Sequence, residues 1–255
     1  MVLSNDVRVE RQAGVLAITL ARPQKKNALT AAMYRQLLDA LALASAEASI
    51  HAVVLDGEGG DFCAGNDIAD FVLLARQAAS FEQSDVWRFL TALVAFDKPL
   101  VAAVRGRAVG IGSSLLLHCD LVYVADSASF SMPFVDLALV PEAASSLLLP
   151  ARIGYVRAFA LFALGEALDA HTAVGLGLAN ALLPPEQVRP RALAAAHALA
   201  GKPAQALQAT KKLLREHARM QAVMAVEGRE FSERLMSAEA QATFQAFLAR
   251  PARGS

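Results

Sequence analysis

Residues 100–114 read LVAAVRGRAVGIGSS, and they are the most informative segment for the fold class. Its first part, Leu100–Val104, is a short and wholly apolar run, which is typical of a buried strand. Three glycines, at positions 106, 110 and 112, then lead into a second apolar run at residues 115–117, so the sequence predicts a tight connection from a strand into a helix. A strand that passes directly into a helix indicates an α/β fold.

The segments on either side of this stretch also alternate between strands and helices. Val7–Arg11 and Val15–Leu20 predict a hairpin about Gly14, and Thr30 is a suitable N-cap for a helix. The further predicted elements are helices over about Ala31–Ala48 and Phe81–Ala95, and strands at Ala52–Leu55, Leu121–Ala125 and Ala128–Ser131. From Pro141 to Ala249 the sequence predicts helices only. We therefore expect an α/β core at residues 1–190 and a helical C-terminal region at residues 191–255.

The composition excludes several classes of protein. The chain has 255 residues, of which 55% are hydrophobic, enough for a sizeable core. Lys plus Arg and Asp plus Glu each total 24, so no net charge favours binding to nucleic acid or an anionic membrane. Cys63 and Cys119 are far apart, which predicts neither a disulfide nor a metal site. Because the sequence shows no signal peptide and no apolar run long enough to cross a bilayer, we expect a cytoplasmic protein.

Two glycine-bearing loops are candidates for binding negative charge. Phe62–Ile68 follows a predicted strand and a glycine turn, and Gly106–Ser114 precedes a predicted helix. Small residues in such loops leave backbone N–H groups free to point at a ligand. The second loop has neither the spacing of a dinucleotide-binding fingerprint nor the lysine of a P-loop. The alternative for both loops is a purely structural turn.

The acidic residue Glu142 is a candidate for proton transfer. It follows Pro141 and lies among apolar residues in the segment Pro133–Ser146. A carboxyl group in an apolar pocket has a raised pKa, which suits it to exchange protons near neutral pH. The alternative is a structural role, because an acid after a proline also favours the first turn of a helix.

Taken together, these segments resemble the crotonase superfamily of enoyl-CoA hydratases and isomerases. The resemblance rests on the order and spacing of Arg22–Leu29, Ala64–Asp67, Ala108–Gly112 and Leu117–Asp120, and it covers the length of the chain. It implies an α/β spiral of ββα units with C-terminal helices that form homotrimers, often paired into hexamers. It also implies an acyl-CoA thioester as substrate, with coenzyme A as part of that substrate and no separate cofactor.

The same resemblance assigns roles to individual residues. The backbone N–H groups of Asn66 and Ile111 correspond to the donors that stabilise the enolate oxygen of the thioester. Lys25 and Lys26 are candidates for the phosphates of coenzyme A, and Arg250 is a candidate contributor from the C-terminal tail. The residues at the position of the family's adenine pocket are Ala64, Asp67 and Ile68.

The departures from the hydratase pattern favour isomerisation. The two glutamates with which hydratases of this family activate water correspond to Ser114 and Phe134, neither of which can replace a carboxylate. Glu142 resembles the single catalytic glutamate of the Δ3,Δ2-enoyl-CoA isomerases, which moves a proton from C2 to C4 without an ordered water. We therefore expect enoyl-CoA isomerisation, and hydration or another crotonase reaction stays an alternative.

Three other functions remain open from the sequence. A hydrolase would use Ser113 or Ser114 with His118 and Asp120, although the stretch lacks a nucleophile elbow. A dehalogenase-like enzyme would use Glu142 as a nucleophile. A crotonase-fold binding protein without catalytic activity would explain the absence of both hydratase glutamates.

Overall fold

The structure, a computed structural model, describes residues 6–76 and 81–249. These residues contain nine strands: β1 (Val7–Gln12), β2 (Val15–Leu20), β3 (Ala52–Gly57), β4 (Leu100–Val104), β5 (Arg107–Val109), β6 (Leu121–Ala125), β7 (Ser129–Ser131), β8 (Ala167–Asp169) and β9 (Ala181–Leu183). They also contain eleven α-helices: α1 (Ala31–Ala46), α2 (Ile68–Arg76), α3 (Asp85–Ala95), α4 (Ile111–Ser114), α5 (Ser145–Ile153), α6 (Tyr155–Ala163), α7 (Ala170–Gly175), α8 (Pro185–Ala200), α9 (Ala204–Leu214), α10 (His217–Leu235) and α11 (Ala238–Leu248). The predicted α/β class is confirmed.

The strands form two sheets. The larger sheet has the order β1-β2-β3-β4-β6-β9, in which the β1–β2 hairpin is antiparallel and every later pair is parallel. The smaller sheet has the order β5-β7-β8, and only two residues separate the end of β4 from the start of β5. The chain therefore leaves the large sheet at β4 and enters the small sheet at β5, and the glycine-bearing loop lies just beyond this transfer.

The large sheet is covered on both faces. In β4, Leu100, Ala102 and Val104 belong to the main core, whereas Val101 and Ala103 pack with α8. Alternate residues of a strand point to opposite faces, so a strand that is buried on both sides is apolar at every position. This explains the uninterrupted apolar run that identifies the strand in the sequence.

The helix predictions were right in type and inexact at their ends. The Thr30 hydroxyl accepts a hydrogen bond from the Met33 N–H at 3.3 Å, which confirms the predicted N-cap of α1. The predicted helix at Phe81 begins instead with a 3-10 turn, Phe81–Gln83, and α3 starts only after Ser84. The Ser84 side chain caps the Trp87 N–H, and its backbone is extended, so the two helical segments cannot be continuous.

The prediction that helices alone follow Pro141 was wrong. Two strands of three residues each, β8 and β9, lie in this region and complete the edges of the small and large sheets. Segments this short carry no periodicity, and their extended form depends on pairing with β7 and β6. The predicted division at residue 190 falls inside α8, and it stays a prediction.

No helix within the described ranges is long and apolar enough to span a membrane.

Candidate active site

The two loops singled out in the sequence lie side by side. Cys63 and Ala108 form an isolated parallel bridge, and the Val109 N–H donates to the Cys63 carbonyl at 2.9 Å. A Cβ atom at Gly112 would lie 2.5 Å from the same carbonyl oxygen. Only glycine permits this approach, so the contact between the two loops requires Gly112.

Within the described residues, each loop has a backbone N–H of interest that is left unpaired, that of Asn66 in the first loop and that of Ile111 in the second. Leu29 pairs with Gly65 and Asp67 through hydrogen bonds of 2.8 and 2.9 Å, which turns the N–H of the intervening Asn66 away from Leu29. Ile111 is the first residue of α4, where an N–H has no acceptor within the helix. In the part of the chain that the structure describes, neither N–H has a hydrogen-bond acceptor. Both amides are free to bind an anionic oxygen.

Tyr34 fixes the side chain of Asn66. Its hydroxyl donates to the Asn66 Oδ1 atom at 2.5 Å, and its ring is buried in α1 against Phe89. Burial raises the pKa of Tyr34 well above its ordinary value, and the nearby Glu142 raises it further. Tyr34 is thus a neutral donor that orients the first loop, and the sequence alone did not identify it.

Glu142 is buried and partly unpaired. Its side chain is 5% exposed, and the Ser114 hydroxyl donates to its Oε1 atom at 2.5 Å. Among the described residues, nothing pairs with its Oε2 atom. Burial raises the pKa of Glu142 to about 8; the hydrogen bond from Ser114 opposes this shift, and Glu227 adds to it. The group can therefore gain or lose a proton near neutral pH.

The structural alternative for Glu142 is wrong. Helix α5 begins at Ser145, so Glu142 lies outside its first turn, and its side chain binds Ser114 instead of the helix N-terminus. Glu227, on α10, takes that role. Its carboxylate accepts hydrogen bonds from the Ala144 N–H at 2.6 Å, the Ser146 N–H at 2.9 Å and the Ser146 hydroxyl at 2.5 Å.

A cavity of about 950 Å³ lies over the two loops. Its wall includes Asn66 and Ile111, together with the apolar residues Phe71, Phe134, Leu137 and Phe231. Glu142 is not among the residues of this wall; it is buried and accepts a hydrogen bond from Ser114. Because Ser114 and Ile111 belong to the same four-residue helix, the carboxyl group and the free amide share one rigid support.

The structure brings most of the candidate coenzyme A residues to the same cavity. Lys25, Ala64, Asp67 and Ile68 line it, whereas Lys26 is exposed and outside the wall. The Asp67 carboxylate is engaged by Arg22 in an ion pair of 2.8 Å. Arg250 lies outside the described residues.

The hydrolase alternative is wrong, because its residues are committed to other partners. The Ser113 hydroxyl donates to the Ala108 carbonyl, and Ser114 donates to Glu142. The His118 Nε2–H donates to the Ala143 carbonyl at 2.7 Å, which leaves Nδ1 to accept from Arg215 at 2.8 Å. Burial lowers the pKa of His118 to about 3, so it is a neutral structural residue. Asp120 pairs with Lys211.

Among the described residues, no group of three or more His, Cys, Asp or Glu side chains is arranged to hold a metal ion.

Comparison with known proteins identifies the family. The profile of the family described as "Enoyl-CoA hydratase/isomerase" matches residues 10–252. The chain belongs to this family. The crotonase-like α/β fold implied by the sequence is therefore confirmed. The chain is an enzyme of the enoyl-CoA hydratase/isomerase family. An acyl-CoA substrate is consistent with membership of this family.

Relatives within the family differ in their named reactions. The chain is 35% identical over 246 residues to the "Probable enoyl-CoA hydratase" of Rhodobacter capsulatus, covering 95% of this chain and 94% of that protein. It is 32% identical over 252 residues to "Enoyl-CoA delta isomerase 2" of Rattus norvegicus, covering 97% of this chain but only 64% of the rat protein. The structure of Pseudomonas aeruginosa OdaA superimposes with a TM-score of 0.92 at 43% identity, covering 97% of this chain and all of that one. Sequence and structural similarity therefore do not distinguish between hydration and isomerisation as the reaction of this chain.

Proposed function

We propose that the protein catalyses Δ3,Δ2-enoyl-CoA double-bond isomerisation, with Glu142 as the only proton shuttle. The observation that carries this proposal is the buried Glu142 carboxyl group, which has one unpaired oxygen and a pKa raised to about 8. Glu142 removes a proton from C2 of a 3-enoyl thioester and returns a proton to C4. One carboxyl group suffices, because the proton leaves and returns on the same side of the substrate.

The two free amides supply the second part of the mechanism. Loss of the C2 proton places negative charge on the thioester oxygen, and the N–H groups of Asn66 and Ile111 donate to that oxygen. One such donor contributes about 2.7–4 kcal/mol to transition-state stabilisation in enzymes that use this device. Substrate binding is expected to bring the Glu142 carboxyl group within reach of C2, since catalytic contacts often tighten only in the complex.

The residues at positions 114 and 134 argue against hydration. A hydratase of this family needs two carboxylates to hold and activate water, and each acid–base group contributes about 10²–10⁴-fold in rate. The Ser114 hydroxyl donates a hydrogen bond to Glu142, and Phe134 packs against Phe162 with ring centroids 6.1 Å apart. Neither side chain can activate water, and the phenyl ring keeps the site apolar.

The remaining parts of the proposal concern binding and assembly. Lys25 at the rim of the cavity and Lys26 beside it supply positive charge for the phosphates of coenzyme A, with no separate cofactor. We also propose a homotrimer or a dimer of trimers. The apolar side chains Tyr155, Val156 and Leu213 are 71%, 80% and 87% exposed, and a neighbouring subunit would cover them.

The test compares wild type with Glu142→Gln on two substrates. With a 3-enoyl-CoA, the wild-type enzyme is expected to increase the absorbance of the conjugated thioester, and the variant to lose at least about 100-fold in kcat. With a 2-enoyl-CoA, the same absorbance should stay constant; a rapid fall would instead identify a hydratase. Glu230→Gln is the matched control, since Glu230 is an exposed residue of α10. Full isomerase activity in Glu142→Gln would refute the proposal.

A further inference from the structure

The backbone directly after Glu142 is strained. Ala143 and Ala144 have φ values of 58° and 55°, in the left-handed region that residues with a Cβ rarely adopt. The conformation is unfavourable for such a residue, because its Cβ atom approaches the following carbonyl oxygen too closely. Two consecutive alanines therefore hold it only because neighbouring groups fix them, and the position of the Glu142 side chain depends on those groups.

The strained turn is held from two sides. On one side, the Glu227 carboxylate binds the Ala144 N–H and both the N–H and the hydroxyl of Ser146. On the other side, the His118 ring donates to the Ala143 carbonyl. Hydrogen bonds to a charged acceptor are about twice as strong as neutral ones, so Glu227 is the stronger of the two restraints.

The place of Glu227 is itself fixed by close helix packing. The next residue, Gly228, faces the indole ring of Trp87 on α3, and a Cβ atom at Gly228 would lie 2.3 Å from that ring. Helix α10 can therefore approach the core closely only with glycine at this position. Glu227 is also buried, with 7% of its surface exposed.

The two carboxyl groups lie in one apolar region. The groups that face Glu142 are the Ser114 hydroxyl of α4, the Tyr34 phenol of α1 and the Glu227 carboxyl of α10. Ser146 and the Ala144 N–H face Glu227. Within the described residues, no cation forms an ion pair with either glutamate. Ionisation of one group therefore disfavours ionisation of the other.

We propose that Glu227 is a positioning residue for the reaction: it anchors the strained turn of Ala143 and Ala144 and thereby holds the Glu142 carboxyl group against the helix that carries Ile111. This inference rests on the proposed role of Glu142. Glu227 has a second effect, because its negative charge makes Glu142 a stronger proton acceptor. It takes no part in substrate binding, so its loss should change turnover and leave binding nearly unaffected.

The test replaces Glu227 with glutamine, which keeps the size of the side chain but accepts only one N–H. We expect kcat to fall by at least about 10-fold, since a displacement of about 1 Å in a reacting group can cost 100-fold. KM should change by less than about 3-fold. The acidic midpoint of the kcat/KM profile should move about half a pH unit or more downwards, because a like charge has been removed. Glu230→Gln, three residues further along α10, should change none of these values.

Two further variants separate charge from position. Glu227→Asp keeps the charge but shortens the reach, so kcat should fall while the midpoint stays near that of wild type. Gly228→Ala pushes α10 away from Trp87 and should also lower kcat. If Glu227→Gln does not fold, the Asp variant decides: an unchanged kcat refutes the inference. A normal pH midpoint in a folded Glu227→Gln protein also refutes it, since a merely structural role would leave the midpoint unmoved.

A direct titration separates this inference from the proposed function. The ionisation of the Glu142 carboxyl group can be followed by 13C NMR in the absence of substrate, in wild type and in Glu227→Gln. A lower midpoint in the variant supports the coupling of the two groups even if the protein does not isomerise 3-enoyl-CoA. Identical midpoints refute the coupling even if it does.

Discussion

Replacing Glu142 with glutamine is expected to stabilise the protein, and more strongly as the pH rises. Burial raises the pKa of Glu142 from 4.5 to about 8. Between these values the unfolded chain has lost the proton and the folded protein retains it. The folded state therefore binds more protons, and the free energy of unfolding falls as the pH increases through this window.

The size of the effect follows from the width of the window. One pKa unit corresponds to about 1.4 kcal/mol, and the range from pH 5 to pH 8 lies almost wholly between the two pKa values. Glu142 should thus cost the wild type about 3 kcal/mol of stability over this range, a cost that the neutral glutamine does not have. For a chain of this length, about 2–4 °C in Tm corresponds to each kcal/mol, so the Tm difference should grow by about 6–12 °C.

Thermal unfolding of both proteins at several pH values between 5 and 8 measures this difference. Burial also raises the pKa of Glu227, which is present in both proteins, so the comparison measures the ionisation of Glu142 together with its coupling to Glu227. The exposed substitution Glu230→Gln should give a Tm difference that does not depend on pH. If the gap between Glu142→Gln and wild type were the same at pH 5 and pH 8, Glu142 would ionise like a solvated acid, and the reasoning would be refuted.

Two further predictions concern the reaction and the loops. Because the base must be ionised in the free enzyme, kcat/KM for 3-enoyl-CoA should rise about 10-fold per pH unit up to about pH 8 and then level off. Initial rates at several pH values measure this profile, and a kcat/KM that does not change with pH would contradict a buried carboxyl base. Gly112→Ala places a Cβ atom against the Cys63 carbonyl, so it should destabilise the protein by about 1–3 kcal/mol and lower kcat. Gly175→Ala, where a Cβ would meet open space, is the control; equal Tm values for both variants would show that the two loops are not held together as described.

The sequence predicted those elements whose form is set by local patterns. Helix α1 was predicted from its cap and its richness in Ala and Leu, and β4 from a continuous apolar run, which the structure buries on both faces. Strand β9 was not predicted, because a segment of three residues is too short to show the alternating pattern of a strand. Its extended form comes from pairing with β6, a contact between residues almost sixty positions apart.

The candidate site follows the same rule. The loops of Asn66 and Ile111 were predicted because glycine is a local signal for close backbone approach. The role of Glu227 was not predicted, because the sequence shows it only as one of several charged residues on a polar helix. Its hydrogen-bond partners lie 81 and 83 residues away in the chain. Tyr34 was missed for a related reason: a buried tyrosine in an apolar helix face predicts packing, and only the fold shows its contact with Asn66.

Burying an acid without a cation is destabilising, and the site contains two such acids beside a strained turn. Stability alone would favour glutamine at position 142 and glycine at positions 143 and 144. The arrangement makes sense if the reaction requires a carboxyl group that exchanges a proton near neutral pH in a dry pocket. Phe134 fits this requirement, because its apolar ring lines the cavity at the position where the family resemblance implies a water-activating glutamate in hydratases. In the proposed isomerase, burial away from water raises the pKa of Glu142, and the same exclusion of water opposes hydration of the substrate.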